Sequence, residues 1–261
     1  MGNYLYSLRR ALQRWRMRQL LKHHPIPHPL WHEVTARIWA LHDLDAVQMV
    51  HLYELTTWFL AQKAITGARG LVVTPSMKVA VATQACLLIL NLGTSYFDGW
   101  GEVILYPGAF RVQHDQPDAL GLIHHEANRL SGESWLHGPV ILSWDEVERD
   151  IFHHQAGHNV VIHEFAHKLD GLNGAMNGMP PLHRGMNRKN WTEALTHAYE
   201  ALGHQIATGK SPFLNPYAAT DPAEFFAVIS EYFFTAPSVL QSCCPNVVKQ
   251  LSLFYRPPTH S

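Results

Sequence analysis

Leu5, Leu8, Leu12 and Trp15 fall on one face of a helical repeat, with arginines on the others, so a helix is expected over 4–22. The proline-rich HHPIPHP stretch, residues 23–29, ends it. Residues 30–66 carry a mostly helical pattern, as does roughly 76–91, and the Gly67–Gly70 stretch separates them. The pattern then changes. Residues 102–106 (EVILY) and 139–142 (PVIL) are short, β-branched-rich runs bounded by glycine and proline, which predicts two strands. Ser143 and Glu146 have capping-box spacing, so a helix begins there. Asn159 can cap the next helix, which runs to about Leu169 and stops at Asp170-Gly171. Residues 171–190, rich in Gly, Asn, Pro and Met, read as a loop. A helix follows at about 191–207. Another opens at Thr220-Asp221-Pro222 and closes at Ala236-Pro237. The expected fold is α+β, mostly helical, with a small sheet ahead of the 160–169 helix.

Composition narrows the function. The chain has 261 residues, 47% of them hydrophobic, enough for a sizeable core, and a formal net charge of −1. That balance predicts no direct nucleic-acid partner for the body of the chain. The first 22 residues differ: Arg9, Arg10, Arg14, Arg16, Arg18 and Lys22 make a basic arm. Such an arm can touch nucleic acid or a membrane surface, but its leucine face suits docking on its own domain better. Three cysteines with no CxxC fit a reducing compartment, and no apolar run is long enough to span a bilayer. Residues 1–22 lack a signal-peptide core, and Tyr6 breaks the myristoylation pattern after Met1-Gly2. A cytoplasmic protein is expected.

One motif carries chemistry. His163-Glu164-Phe165-Ala166-His167 matches H-E-x-x-H. On a helix the two histidines lie one turn apart on one face and can share an ion at about 2.0–2.1 Å. Glu164 lies about 100° round the helix, placed to take a proton from an attacking water. A chain with 19 histidines produces this pattern by chance about 0.06 times. The flanking Val160, Val161, Ile162 and Leu169 make the helix apolar, so its polar side chains need partners there. His154 and His158 are also four apart but no glutamate follows His154. His124-His125-Glu126 has no helical pairing.

A catalytic zinc takes three protein ligands and keeps one position open. Asp170 and Asn173 stand where the third-histidine pattern needs glycine and histidine, so a downstream glutamate is expected. The apolar 222–235 helix offers Glu224 and Glu231, seven apart on one face. Glu224 also sits three after Asp221, the spacing of a cap. Asp170 can orient a ligand imidazole or solvate the helix end. Either strand, 102–106 or 139–142, can pair with an extended peptide substrate.

The segments HEFAHKLDGLNG (163–174), NPYAATDPAEFFAVISEYFF (215–234) and FDGWGEVILYPGAF (97–110) resemble the Mlc titration factor A family of zinc peptidases. The likeness covers most of residues 70–245. It implies a zincin-type catalytic core similar to that of anthrax lethal factor, with a distant glutamate ligand and a tyrosine seven residues before it. Carried onto this chain, it implies one zinc held by His163, His167 and Glu224, Glu164 as base and Tyr217 as the tyrosine. It also implies peptide hydrolysis, aminopeptidase-type, and binding of the Mlc transcription repressor of glucose uptake. The alternative is a non-catalytic repressor-binding protein whose zinc site is accessory. One domain over 1–261 is expected, with 1–29 the basic arm and about 70–245 the catalytic core.

Overall fold

The computed structural model describes residue 15, residues 17–108 and residues 138–255. Residues 17–23 are helical, and the helix ends in the HHPIPHP stretch as its prolines require. Residues 1–14 and 16 of the predicted arm lie outside the described residues, as do Phe110 and the His124-His125-Glu126 cluster.

Helix α1 (His28–Thr35) and a short 3-10 turn (Trp39–Leu41) lead to α2 (Ala46–Gln62). Asp45 caps α2: it accepts from the Gln48 amide, and the Gln48 side chain accepts from the Asp45 amide. The expected helical pattern through residue 66 is overturned at its end. Lys63 is extended, and Ala64–Gly67 forms strand β1. The buried Lys63 ammonium donates to the carbonyls of Phe97 and Trp100, and the Ala64 amide donates to Gly101. These long-range bonds outweigh the local helical pattern.

Helix α3 (Pro75–Leu88) crosses over to β2 (Glu102–Tyr106), and β3 (Val140–Ser143) completes a three-stranded parallel sheet in the order β1-β2-β3. Ile65, Val103 and Val140 stand in one row and Leu105 and Leu142 in the next, all buried. β2 is central and hydrogen-bonded on both sides, so residues 102–106 cannot pair with a peptide substrate. Among the described residues β3 is paired on one side only.

Helix α4 (Trp144–Phe152) starts at Ser143, whose hydroxyl accepts from the Glu146 amide. Helix α5 (Val160–Asp170) carries the H-E-x-x-H motif. Behind it Phe165 meets Phe97, Trp100 and Phe59 at ring distances of 5.2, 5.6 and 5.9 Å. Losing such a buried aromatic costs about 3–5 kcal/mol, so this cluster fixes the rotation of α5 about its axis. A loop follows, then α6 (Arg188–Ala207), α7 (Pro222–Thr235), α8 (Pro237–Cys243) and α9 (Pro245–Tyr255). Residues near the start of α5 bond the end of α7, and residues just past its end meet the start of α7. The two helices therefore run antiparallel. No helix among the described residues is long and apolar enough to cross a membrane.

Candidate metal centre

The start of α5 is held by three side chains. The side-chain oxygen of Asn159 accepts from Ile162 N, Asp150 Oδ2 accepts from Val160 N, and Glu231 Oε2 accepts from Asn159 N. Asn159 Nδ2 also donates to buried Gln84 Oε1 at 2.7 Å. This end of the helix is thus fixed before any ligand is considered.

His163 and His167 stand one turn apart with their Nε2 atoms 3.2 Å from each other. Glu224, from the first turn of α7, brings Oε2 to 3.1 Å from His163 Nε2 and 3.5 Å from His167 Nε2. The structure therefore brings together the three residues singled out as metal ligands. Glu224 Oε2 is buried and has hydrogen-bond geometry to neither imidazole. Ligand atoms about 2.0–2.1 Å from one tetrahedral centre lie about 3.3–3.4 Å apart. The three observed separations bracket that value, so the donor set fits a zinc ion.

Glu231, the other candidate, does something else. Its Oε1 lies 2.8 Å from His163 Nδ1, on the far side of that ring from the cluster. Accepting the Nδ1 proton fixes the tautomer that leaves the Nε2 lone pair facing Glu224 and His167. Asp221 caps α7 by accepting from Ala223 N and Glu224 N, which leaves the Glu224 carboxylate to the imidazoles.

Tyr217 sits on a 3-10 turn, Pro216–Ala219, whose cap Asn215 accepts from the Tyr217 amide. Its ring centroid is 6.0 Å from that of His163. Burial and the adjoining Glu224 carboxylate hold the phenol well above its usual range, so it stays protonated. Glu164 is half-buried, and its charge is felt by His163, Tyr217 and Lys168.

Asp170 is fully buried and accepts from Gly178 N at 2.7 Å, so it ties down the following loop. Burial, partly offset by loop amides and His167, raises its carboxyl to about 6. Its Oδ1 and His167 Nδ1 both lack hydrogen-bond partners. The other histidine pair separates: His154 stacks on Trp39 at 4.4 Å, and His158 pairs with Asp150 at 2.8 Å. Asp150 gave no sequence signal because its partners lie eight and ten residues ahead, outside any helical repeat. Sequence reasoning also missed Gly178, one glycine in a loop full of turn residues.

Charge at the site has a pH signature. Burial alone would lower the His163 pKa, but Glu224 and Glu231 outweigh it and raise it well above 6.5 in the metal-free fold. Burial would raise Glu224, but the two imidazoles outweigh it and hold it well below 4.5. The His163 contribution is complete below about 6.5 and is lost as pH rises through its raised folded value. The Glu224 contribution is complete above about 4.5 and is lost as pH falls through its depressed value. The stability of metal-free wild type over metal-free His163→Ala should therefore peak between about pH 4.5 and 6.5. Chelator-treated melting curves across pH 3–9 (roughly the range over which both groups titrate) would refute this if the difference grew steadily above neutrality.

The profile of the family described as glucose-regulated metallo-peptidase M90 matches residues 12–256. The chain is also similar to proteins named Mlc titration factor A from Yersinia pestis and Yersinia pseudotuberculosis. Each is 38% identical over 231 residues, covering 87% of this chain and 83% of the relative.

Proposed function

The chain belongs to the glucose-regulated metallopeptidase family M90, and from that premise we propose that it hydrolyses peptide bonds at a zinc held by His163, His167 and Glu224. The observation that carries this is the convergence of two Nε2 atoms and one buried carboxylate oxygen within 3.5 Å.

A zinc bound there would supply Lewis acidity toward the scissile carbonyl and make a water acidic near neutral pH. Glu164 accepts the proton of the attacking water on its carboxylate and returns it to the leaving amine. The Tyr217 hydroxyl, kept neutral by burial beside Glu224, donates a hydrogen bond to the oxyanion that develops as water adds. Glu231 holds the His163 ring through Nδ1. The backbone edge of β3 is the surface we assign to an extended substrate. We assign aminopeptidase-type cleavage on the family resemblance.

A second role accompanies the first. The relatives are named Mlc titration factor A. We propose that this chain likewise binds an Mlc-type repressor, on a surface separate from the metal cleft. Three free cysteines fit a reducing cytoplasm for both roles.

The test of the enzymatic reading is direct. Purified protein should carry about one zinc per chain and cleave peptides presenting a free N-terminus. A chelator should abolish cleavage and added zinc restore it. Cleavage undiminished in metal-stripped protein would overturn the reading.

A further inference from the structure

Gly178 lies in the loop after α5, at the point where three helices meet. Its amide donates to Asp170 Oδ2 at 2.7 Å, one turn beyond His167. Its carbonyl accepts from Trp191 Nε1 of α6 at 3.0 Å. Its φ is +76°, a conformation that favours glycine. A Cβ there would lie 2.5 Å from the carbonyl oxygen of Pro222, the first residue of α7, and 3.6 Å from Phe226 Cβ. Pro222 stands two positions before Glu224.

We propose that Gly178 is a positioning residue for the metal centre: its missing side chain lets the α5 loop close onto the first turn of α7 and so sets where Glu224 meets the two histidines. This inference rests on the zinc reading above.

The physical case is one of tolerance. The atom that a Cβ would strike is backbone, inside a turn fixed by a proline ring and capped by Asp221. No side-chain rotation can relieve that contact, so either the loop or the first turn of α7 must shift. The loop is anchored from both sides, by Asp170 and by Trp191, whose ring packs on Phe226 and Phe254. Metal–ligand distances, by contrast, hold to about ±0.2 Å. A displacement of a few tenths of an ångström at α7 is therefore felt at the ion before it is felt in the core.

Gly174 supplies the control. It lies in the same loop at φ +87°, and a Cβ added there would meet nothing within 4 Å, so alanine incurs the backbone strain without the contact. Zinc affinity is measured by competition with a chromophoric chelator, alongside melting of the metal-free proteins. Gly178→Ala should bind zinc about 10–100-fold more weakly, with Gly174→Ala close to wild type. In a Glu224→Ala background, Gly178→Ala should cause no further loss, because the ligand it positions is gone. Equal affinity for Gly178→Ala and wild type, equal losses at both glycines, or an undiminished loss in the Glu224→Ala background would each overturn the proposal. Should Gly178→Ala fail to fold, Trp191→Phe, which removes the donor to Gly178, carries the same cycle with the same expected coupling. His163→Ala guards the premise: wild-type zinc affinity in that variant would sink the metal site itself, whatever Gly178 does.

Discussion

Glu164→Gln should reduce peptide turnover by at least about 10²–10⁴-fold, the usual contribution of a positioned general base, while leaving zinc content and melting temperature near wild type. The substitution keeps shape and removes basicity, since an amide cannot take the proton of the attacking water. Zinc should be unaffected because the three converging atoms belong to His163, His167 and Glu224. Repressor binding should also survive. A stable protein partner needs about 800 Å² on each side, far more than one carboxylate on α5 presents. Cleavage assays, metal analysis and titration calorimetry on one preparation separate the outcomes. Near-normal turnover would remove Glu164 from the mechanism. Joint loss of cleavage and repressor binding would mean that the repressor enters the cleft as a substrate.

The second large effect lies on α7, where two glutamates on one face should fail in opposite ways. Glu224→Ala deletes the oxygen that meets both Nε2 atoms and should weaken zinc binding by more than the about 10–100-fold typical of losing an outer hydrogen-bond partner. Glu231→Ala should fall within that smaller range. It should cost more in metal-free stability, because it strips the acceptor from His163 Nδ1 and from the buried Asn159 amide, at about 1–3 kcal/mol for each donor left unpaired. Zinc affinity and chelated melting temperature should therefore rank the two variants in opposite orders. The same order in both assays would show that the carboxylates do not divide the work this way.

What could be read from the sequence was whatever repeats locally. The H-E-x-x-H spacing, the Asn159 cap, the Asp221-Pro222 start and strand 102–106 each rest on residues within one turn or one short run, and the structure has them in place. The choice between Glu224 and Glu231 could not be made from helical spacing, because residues seven apart share a face. The family resemblance favours Glu224, seven residues after Tyr217; in the structure Glu224 faces the two Nε2 atoms and Glu231 the Nδ1 of His163, contacts between helices that no spacing shows. Strand β1 escaped for a related reason. Four residues after a 17-residue helix give too short a pattern, and the bonds that extend them come from residues more than thirty positions away. Gly178 is the extreme case, since its importance lies in an atom that it lacks.

The antiparallel pairing of α5 and α7 has a consequence for how long the protein lasts. The histidines of one and Glu224 of the other are separated in the chain by the intervening loop and the whole of α6. An ion shared between them would tie two distant parts of the chain together in the folded state. Binding to the folded state alone adds about 2.7 kcal/mol of stability at a free metal concentration of 100 times Kd. Metal-depleted protein would lose that increment and populate the unfolded chain more often, where cellular proteases act. Metal supply would then govern the amount of this protein as well as its activity.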